Sequence, residues 1–484
     1  MKVVRPKIVL NILSFLAILL SLILIVPMLT SLYFDDNGFI GFVETILFSL
    51  PISLAIFFFT REKRELNLRE GFLVVALGWI VIAFIGSLPY YFSGAIPTLT
   101  DSFFESMSGF TTTGATILTD IEALPDSLHL WRALTHWIGG MGIIVLSIAI
   151  LPLLGIGGMQ LFKAEVPGPT ADKLTPRVNQ TAKILWIVYF AITCLEIILL
   201  KLGGMSFFDS ICHSFATMAT GGFSTQNGSV ADYNSAYIDY VITIFMFIAG
   251  ANFALHYKFF LKKFNVHLKD IEFRTYFYIV MGVALIMTIS NIGGDVYQSF
   301  EESFRYAIFQ SVAIITTTGF GTADYEQWTF LSQILIFVLM FVGGSAGSTG
   351  GGMKVIRVLV IIKEGLLELK KLVHPNAIMQ LRVGKRVIPQ NVVYSILGFF
   401  LLYVLIFVII TITMGALGLD LLTAFGASAS CLGNIGPGFG IVGPTENYFL
   451  IPSAGKWVLS FTMLVGRLEI YTVLVILTGS FWKK

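Results

Sequence analysis

A chain of 484 residues that is 56% hydrophobic and only 12% charged, with a mean hydropathy of +0.84, has lipid rather than water as its main solvent. Its formal net charge of +2, with no basic domain set apart, excludes a nucleic-acid-binding protein. The three cysteines, Cys194, Cys212 and Cys431, stand at no metal-ligand spacing and read as packing residues.

The chain opens with Lys2, Arg5 and Lys7 before an apolar run from Ile8 to Leu32. That run is too long for a signal-peptide core and lacks a small-residue cleavage site, so it predicts a retained helix. About 20 apolar residues cross a hydrocarbon core about 30 Å thick. Ten segments qualify, near 8–32, 39–60, 71–92, 130–155, 182–202, 236–260, 275–293, 329–362, 391–416 and 455–481. Shorter stretches near 101–113, 208–221, 303–318 and 421–435 are too short and polar to span, yet too apolar for exposed loops. Backbone of that kind survives at membrane depth only when buried in protein or lining a watery cavity, so each reads as a re-entrant pore helix. The predicted fold is an all-α polytopic membrane protein. An N-terminal two-helix hairpin (1–69) precedes four helix–pore helix–helix repeats, at 70–160, 161–265, 266–370 and 371–484, around one pore.

The repeats share a register. With Gly114, Gly222, Gly319 and Gly436 as pivots, a serine stands eight residues earlier each time (Ser106, Ser214, Ser311, Ser428), and a bulky apolar residue eleven earlier (Phe103, Ile211, Ile308, Phe425). The recurring serine selects Gly222 over Gly221 and aligns Phe223 with Phe320. A dehydrated cation needs oxygens in place of its water shell, and backbone carbonyls supply them without burying carboxylates. Aiming consecutive carbonyls one way requires backbone angles that glycine tolerates. The candidate filter is therefore Thr112-Thr113-Gly114, Thr220-Gly221-Gly222, Thr317-Thr318-Gly319 and Asn434-Ile435-Gly436. A dehydrated cation bound through their carbonyls is the ligand this expects. Pore helices ending toward the axis would add a negative dipole end that favours a cation.

Charge orients the chain. With the N-terminus cytoplasmic, 26 of the 31 Lys and Arg fall in groups at 2–7, 61–69, 163–183, 258–274, 354–386 and 483–484, all on one side. Asp35, Asp36, Asp120, Glu122, Asp126, Asp295, Glu301, Glu302, Asp324 and Glu326 lie on the other, where they either enrich cations at the mouth or only solvate loops.

These features resemble the Trk/Ktr/HKT superfamily of potassium transporters, most closely the Trk membrane subunit, over essentially the whole chain. The N-terminal hairpin points to Trk, since Ktr members typically lack it. In plant HKT relatives serine at the first filter position goes with sodium; here that position is Gly114, so the resemblance implies potassium. Asn434 and Ile435 depart from threonine, which implies fewer ion sites than a symmetric channel has. The resemblance also implies a homodimer and a cytosolic ring of NAD- or ATP-binding regulatory subunits, which the basic linkers 258–274 and 354–386 could dock. It places the protein in the bacterial inner membrane, with both termini cytoplasmic.

The eighth segment is broken by Gly343-Gly344-Ser345-Ala346-Gly347-Ser348-Thr349-Gly350-Gly351-Gly352. Each glycine costs a helix about 1 kcal/mol relative to alanine, so this run predicts a flexible intramembrane loop. A small-residue packing groove is the other reading. The resemblance favours the loop as a gate below the filter. Arg467 stands within the last span, with Glu469 two residues on, and a charge there either pairs across helices or faces the pore; the resemblance favours the pore and a place in the gate. Glu44, Glu196 and Asn252 read as structural partners. Trp131-Arg132 through Trp137-Ile138-Gly139-Gly140-Met141-Gly142 reads as an interfacial anchor leading into close packing, and His129 with His136 forms no convincing metal or relay pair.

No Gly-x-x-x-x-Gly-Lys-Ser/Thr occurs, so nucleotide control must come from another subunit and no cofactor is expected on this chain. Within transport, a less selective sodium/potassium or proton-coupled member remains open. A polytopic membrane enzyme is the reading from another class, and it lacks paired carboxylates or a histidine–carboxylate helix face to support it.

Overall fold

The structure, a computed structural model, describes residues 4–62, 66–153, 178–261, 265–377, 379–384 and 386–483. The basic residues of 163–177 therefore lie outside the described residues. The first span runs as Pro6–Ile23 and Ile25–Phe34, with proline at the helix start where its missing N–H costs nothing. It packs on Phe39–Phe59 through small and hydroxyl side chains that let the backbones approach; Ser21 and Ser49 hydroxyls meet at 2.8 Å. Arg5 reaches from its start to Glu70 at 2.7 Å, and Glu70 completes a capping box with Asn67 on the third span, Leu68–Phe92.

Between the first two spans, Asp36 accepts hydrogen bonds from Ser31, Gly38 and both the backbone and hydroxyl of Ser127, tying the hairpin to the fourth span. Burial opposes its charge, but these hydrogen bonds outweigh it and hold its pKa below the usual carboxylate value. The depressed pKa contributes stability above the ordinary carboxylate range that is lost as pH falls through it. Melting in detergent is accordingly expected to lose more stability below about pH 4 in the wild type than in Asp36→Asn.

The four repeats follow. Their outer helices are Leu68–Phe92, Val178–Leu202, Ile271–Gly293 and Gln390–Ala416, and their pore helices are Leu99–Phe110, Phe207–Met218, Phe300–Ile315 and Leu421–Gly433. Every pore helix starts on a side-chain cap: Thr98, Ser206, Ser299 and Asp420 each accept the N–H three residues on. The third pore helix lies at 300–315, a few residues ahead of the expected stretch. All four register serines are fully buried, and Ser106 donates to the Ala83 carbonyl of its outer helix at 2.7 Å. A larger residue at Ser106 would part these two helices.

The inner elements correct the expected straight spans. Among the described residues six helices are long and apolar enough to cross a bilayer, and two bent pairs raise this to eight. Asp126–Leu153, and Phe330–Leu339 with Val355–Val373 across the glycine loop, occupy the other two of the ten positions. The sixth span breaks by 101° between Ala236–Ala249 and Phe253–Phe260 at Gly250-Ala251-Asn252, and the tenth by 118° between Ser453–Arg467 and Tyr471–Leu477. The linker 354–386 is a helix that runs on to Val373, followed by the hairpin Arg382–Val383 with Arg386–Val387. Along Gln390–Ala416, Leu401, Leu405, Ile409 and Ile412 are exposed at helical spacing, a stripe for lipid.

Candidate functional site

The four pore helices end in one backbone turn. Two residues before each pivot, Thr112, Thr220, Thr317 and Asn434 are left-handed, with φ of 50°, 54°, 61° and 56°. The next N–H in each repeat (Thr113, Gly221, Thr318, Ile435) closes onto a carbonyl five residues back (Ser108, Ala216, Ala313, Ser430) at 2.8–3.0 Å. The pivots themselves sit at φ 80°, 81°, 76° and 105°, where a side chain is strained. Three β-branched threonines held left-handed store strain that only surrounding structure can hold; asparagine, at home in that region, takes the position in the fourth repeat.

The pivots also meet one another. A Cβ on Gly114 would lie 2.2 Å from the Gly221 carbonyl oxygen, one on Gly222 1.9 Å from Thr318 O, one on Gly319 1.9 Å from Ile435 O, and one on Gly436 2.8 Å from Thr113 O. Each repeat thus presses on the next and the fourth on the first. Four strands close one ring. Gly221 has a different reason to be glycine, because a Cβ there would sit 2.4 Å from the His136 ring.

The ring is not fourfold in chemistry. Thr113 and Thr318 hydroxyls bond back to Thr111 and Thr316 at 2.8 Å. In the fourth repeat the Gly436 carbonyl accepts from Ser430 at 2.6 Å and Tyr448 at 2.9 Å, while Asn434 donates to Thr113 Oγ1 at 3.0 Å and Met463 O at 2.9 Å. Outside the ring the acidic loops bind their neighbours. Glu326 accepts from Gly440 N at 2.6 Å, Asp101 pairs with Lys456 at 2.5 Å, and Asp120 and Glu122 accept from Asn227. For Asp120, Glu122 and Glu326 the loop-structuring role is the observed one.

The glycine run is a loop, as expected, and lies directly against the inner ends of the strands. Gly351 N donates to Thr317 Oγ1 at 2.7 Å, and Cβ atoms on Gly350 and Gly351 would lie 2.8 Å from Thr316 O and 2.6 Å from Gly433 O. Gly343 pairs with Lys354, Ser345 N donates to Gly250 O, and Phe253 N to Gly347 O, so the break in the sixth span receives the loop. Thr349 Oγ1 donates to Met218 O at 3.0 Å. Ala346 N donates to Glu272 at 2.8 Å, and Asn252 caps the helix beside Gly347. The run is consecutive contact surface on both faces, which a one-sided packing groove does not need.

Arg467 ends its helix instead of standing midway along one, and Glu469 (φ 55°) and Ile470 (φ 53°) turn the chain after it. The buried guanidinium donates to Thr349 O in the loop at 2.7 Å and to Gly139 O of the first repeat at 3.3 Å, with no carboxylate partner among the described residues. Glu469 pairs instead with Arg357. A second cation stands here: Lys354, expected as a cytoplasmic charge, is buried and donates to Gly350 O and, at 3.2 Å, to Gly351 O.

Comparison with known proteins agrees with this architecture. The family model described as TrkH, cation transport protein, matches residues 37–484. The chain belongs to the TrkH family. Among family members, the Trk system potassium uptake protein TrkH of Escherichia coli is 42% identical over 478 residues, 98% of this chain and 99% of that one. The TrkG protein of that organism is 34% identical over 484 residues, 99% of each. The crystal structure of the potassium transporter TrkH from Vibrio parahaemolyticus aligns with a TM-score of 0.90 at 39% identity, over 99% of this chain and 100% of that one.

In this TrkH-family chain one sequence expectation fails outright. Trp131 and Arg132 are not an interfacial anchor: both are fully buried, Trp131 donating to Gly86 O at 2.9 Å and Arg132 paired with Glu105 at 2.9 Å. An arginine beside a tryptophan looks interfacial until a carboxylate on another helix is brought to it, and Glu105 near the middle of the first pore helix was the signal overlooked. Glu196 is buried, whereas Glu44 is exposed on its helix.

Proposed function

We propose that this chain moves potassium inward across the bacterial inner membrane, as the ion-translocating subunit of a Trk system. The closed ring of pivot glycines carries the reading. Four carbonyl-bearing strands, each ending a pore helix whose negative dipole end faces them, suit a dehydrated monovalent cation. Thr112, Thr113, Gly114, Thr220, Gly221, Gly222, Thr317, Thr318, Gly319, Asn434, Ile435 and Gly436 are its selectivity filter. The loop Gly343–Gly352 and Arg467 are its gate, a reading supported by the loop's contacts with Thr317 and with the Thr316 and Gly433 carbonyls, beside which a cationic side chain repels a passing cation. The chain is a transporter and not an enzyme, with potassium as cargo. It works as a homodimer with a cytosolic nucleotide-binding ring, its two termini on the cytoplasmic side, and the repeats divide near residues 69, 160, 265 and 370.

The test is flux of potassium, rubidium and sodium into liposomes that hold the purified chain. Potassium and rubidium uptake well above sodium is expected; equal sodium uptake would overturn the selectivity. A second reading, a less selective sodium/potassium transporter of the same superfamily, is favoured by one observation. The Gly436 carbonyl is already engaged by Ser430 and Tyr448, which leaves one ring position weaker toward an ion.

A further inference from the structure

Nine residues before the pivots the pore helices carry Glu105, His213, Gln310 and Ala427. The first three reach the strand leaving the filter in their own repeat. Glu105 accepts from Thr116 Oγ1 and Ile117 N, each at 3.0 Å; His213 Nε2 lies 2.9 Å from Ser224 Oγ; Gln310 donates to Thr322 Oγ1 at a long 3.5 Å. Ala427 has no side-chain polar atom to offer. The same register thus braces the outer strand in descending strength from repeat 1 to repeat 4.

Repeat 1 adds a charge. Arg132 donates through Nε to Glu105 at 2.9 Å and through Nη1 to the Ser224 carbonyl of repeat 2 at 3.0 Å. Its guanidinium lies 4.1 Å over the Phe223 ring, the residue after the second pivot. Arginine and glutamate are 1% and 0% exposed. The filter turn does not need this pair, because repeats 2 to 4 make the same left-handed turn with histidine, glutamine or alanine in place of Glu105. What the pair adds is a link across one seam, from the outer strand of repeat 1 to that of repeat 2.

We propose that the Glu105–Arg132 pair is a specificity-determining positioning element, which holds the outer strands of repeats 1 and 2 apart so that the filter ring cannot contract around a smaller cation. The proposal rests on the reading of the chain as a cation pore. Discrimination between cations by carbonyl rings depends on the placing and number of those dipoles, so a fixed seam sets it and a slack seam loses it. Removing one partner leaves the other buried and uncompensated, which drives local rearrangement at the strands it touched.

The experiment uses the full chain in liposomes, with rubidium and sodium flux measured side by side. No rubidium flux in the wild type would overturn the pore reading itself, apart from this proposal. Given wild-type flux, Glu105→Gln, which keeps volume and one acceptor, is expected to raise the sodium-to-rubidium ratio about tenfold, the loss of about 1.4 kcal/mol of discrimination. Arg132→Lys, which keeps the charge but loses the forked contact to two repeats, moves it the same way. An unchanged ratio in both variants overturns the proposal. If either variant fails to fold, Phe223→Leu leaves the ion pair intact and removes only the ring under the guanidinium, with an expected rise of about threefold; no rise there overturns it. Gln310→Leu, at the same register without a charge, is expected to shift the ratio several-fold less than Glu105→Gln. Equal shifts in those two variants would show that any polar brace suffices and would sink the specific role of the pair.

Discussion

Gly222→Ala abolishes measurable potassium flux while the protein still folds and inserts. The added methyl would lie 1.9 Å from the Thr318 carbonyl oxygen, and the backbone at φ 81° adds strain of its own. Left-handed strain for a residue with a Cβ is about 1–2 kcal/mol and overpacking adds about 1–3 kcal/mol. Together they reach about 3 kcal/mol, a change of about a hundredfold in any equilibrium the ring depends on. Because the Thr318 carbonyl belongs to the next strand, relief comes only by moving it, and the damage falls on the ring. Gly94→Ala is the matched control: its φ is 75°, but nothing lies within 4 Å of the added carbon. Flux in Gly222→Ala equal to that in Gly94→Ala would remove the ring from the mechanism. Gly436→Ala, at 2.8 Å, is expected to be the mildest of the four pivots.

In Arg467→Gln, flux through the purified chain rises, in the absence of any cytosolic partner. The guanidinium holds the loop at Thr349 O and anchors it to Gly139 O, while its charge repels a cation in the path. A hydrogen bond from a charged donor is worth about 1.5–3 kcal/mol, so its loss shifts a two-state loop toward the open form by about tenfold or more. Arg467→Lys keeps the charge and loses the fork, and is expected to lie between the two. A fall in flux in the folded Arg467→Gln protein would mean that the arginine builds the path instead of closing it.

The ring of four strands was legible because its demands are local. A turn that needs positive φ twice within three residues, at the end of a capped pore helix, leaves glycine and a serine at constant spacing in all four repeats. The glycine loop was legible for the same reason: ten consecutive small residues cannot be a helix. The breaks in the sixth and tenth spans were not visible. Gly250-Ala251-Asn252 is apolar enough to continue a helix, and Arg467 through Tyr471 contains no helix breaker at all. Those bends exist because Ser345 N and Gly347 O take up the backbone of the sixth span, and because Arg467 is drawn toward a loop more than a hundred residues earlier in the chain.

The sequence by itself determined the solvent of this protein, its spans, its repeat and the register of its four strands, because hydropathy, helix length and backbone torsion are properties of neighbouring residues. Only the tertiary structure decided which charges matter. The sequence set Arg467 apart as a charge within a span but not Arg132, Lys354 or Arg357, because at membrane depth a charge takes its role from the partner that compensates it. For Arg132, Arg357 and Arg467 those partners, Glu105, Glu469 and Thr349 O, come from elements that only folding brings together.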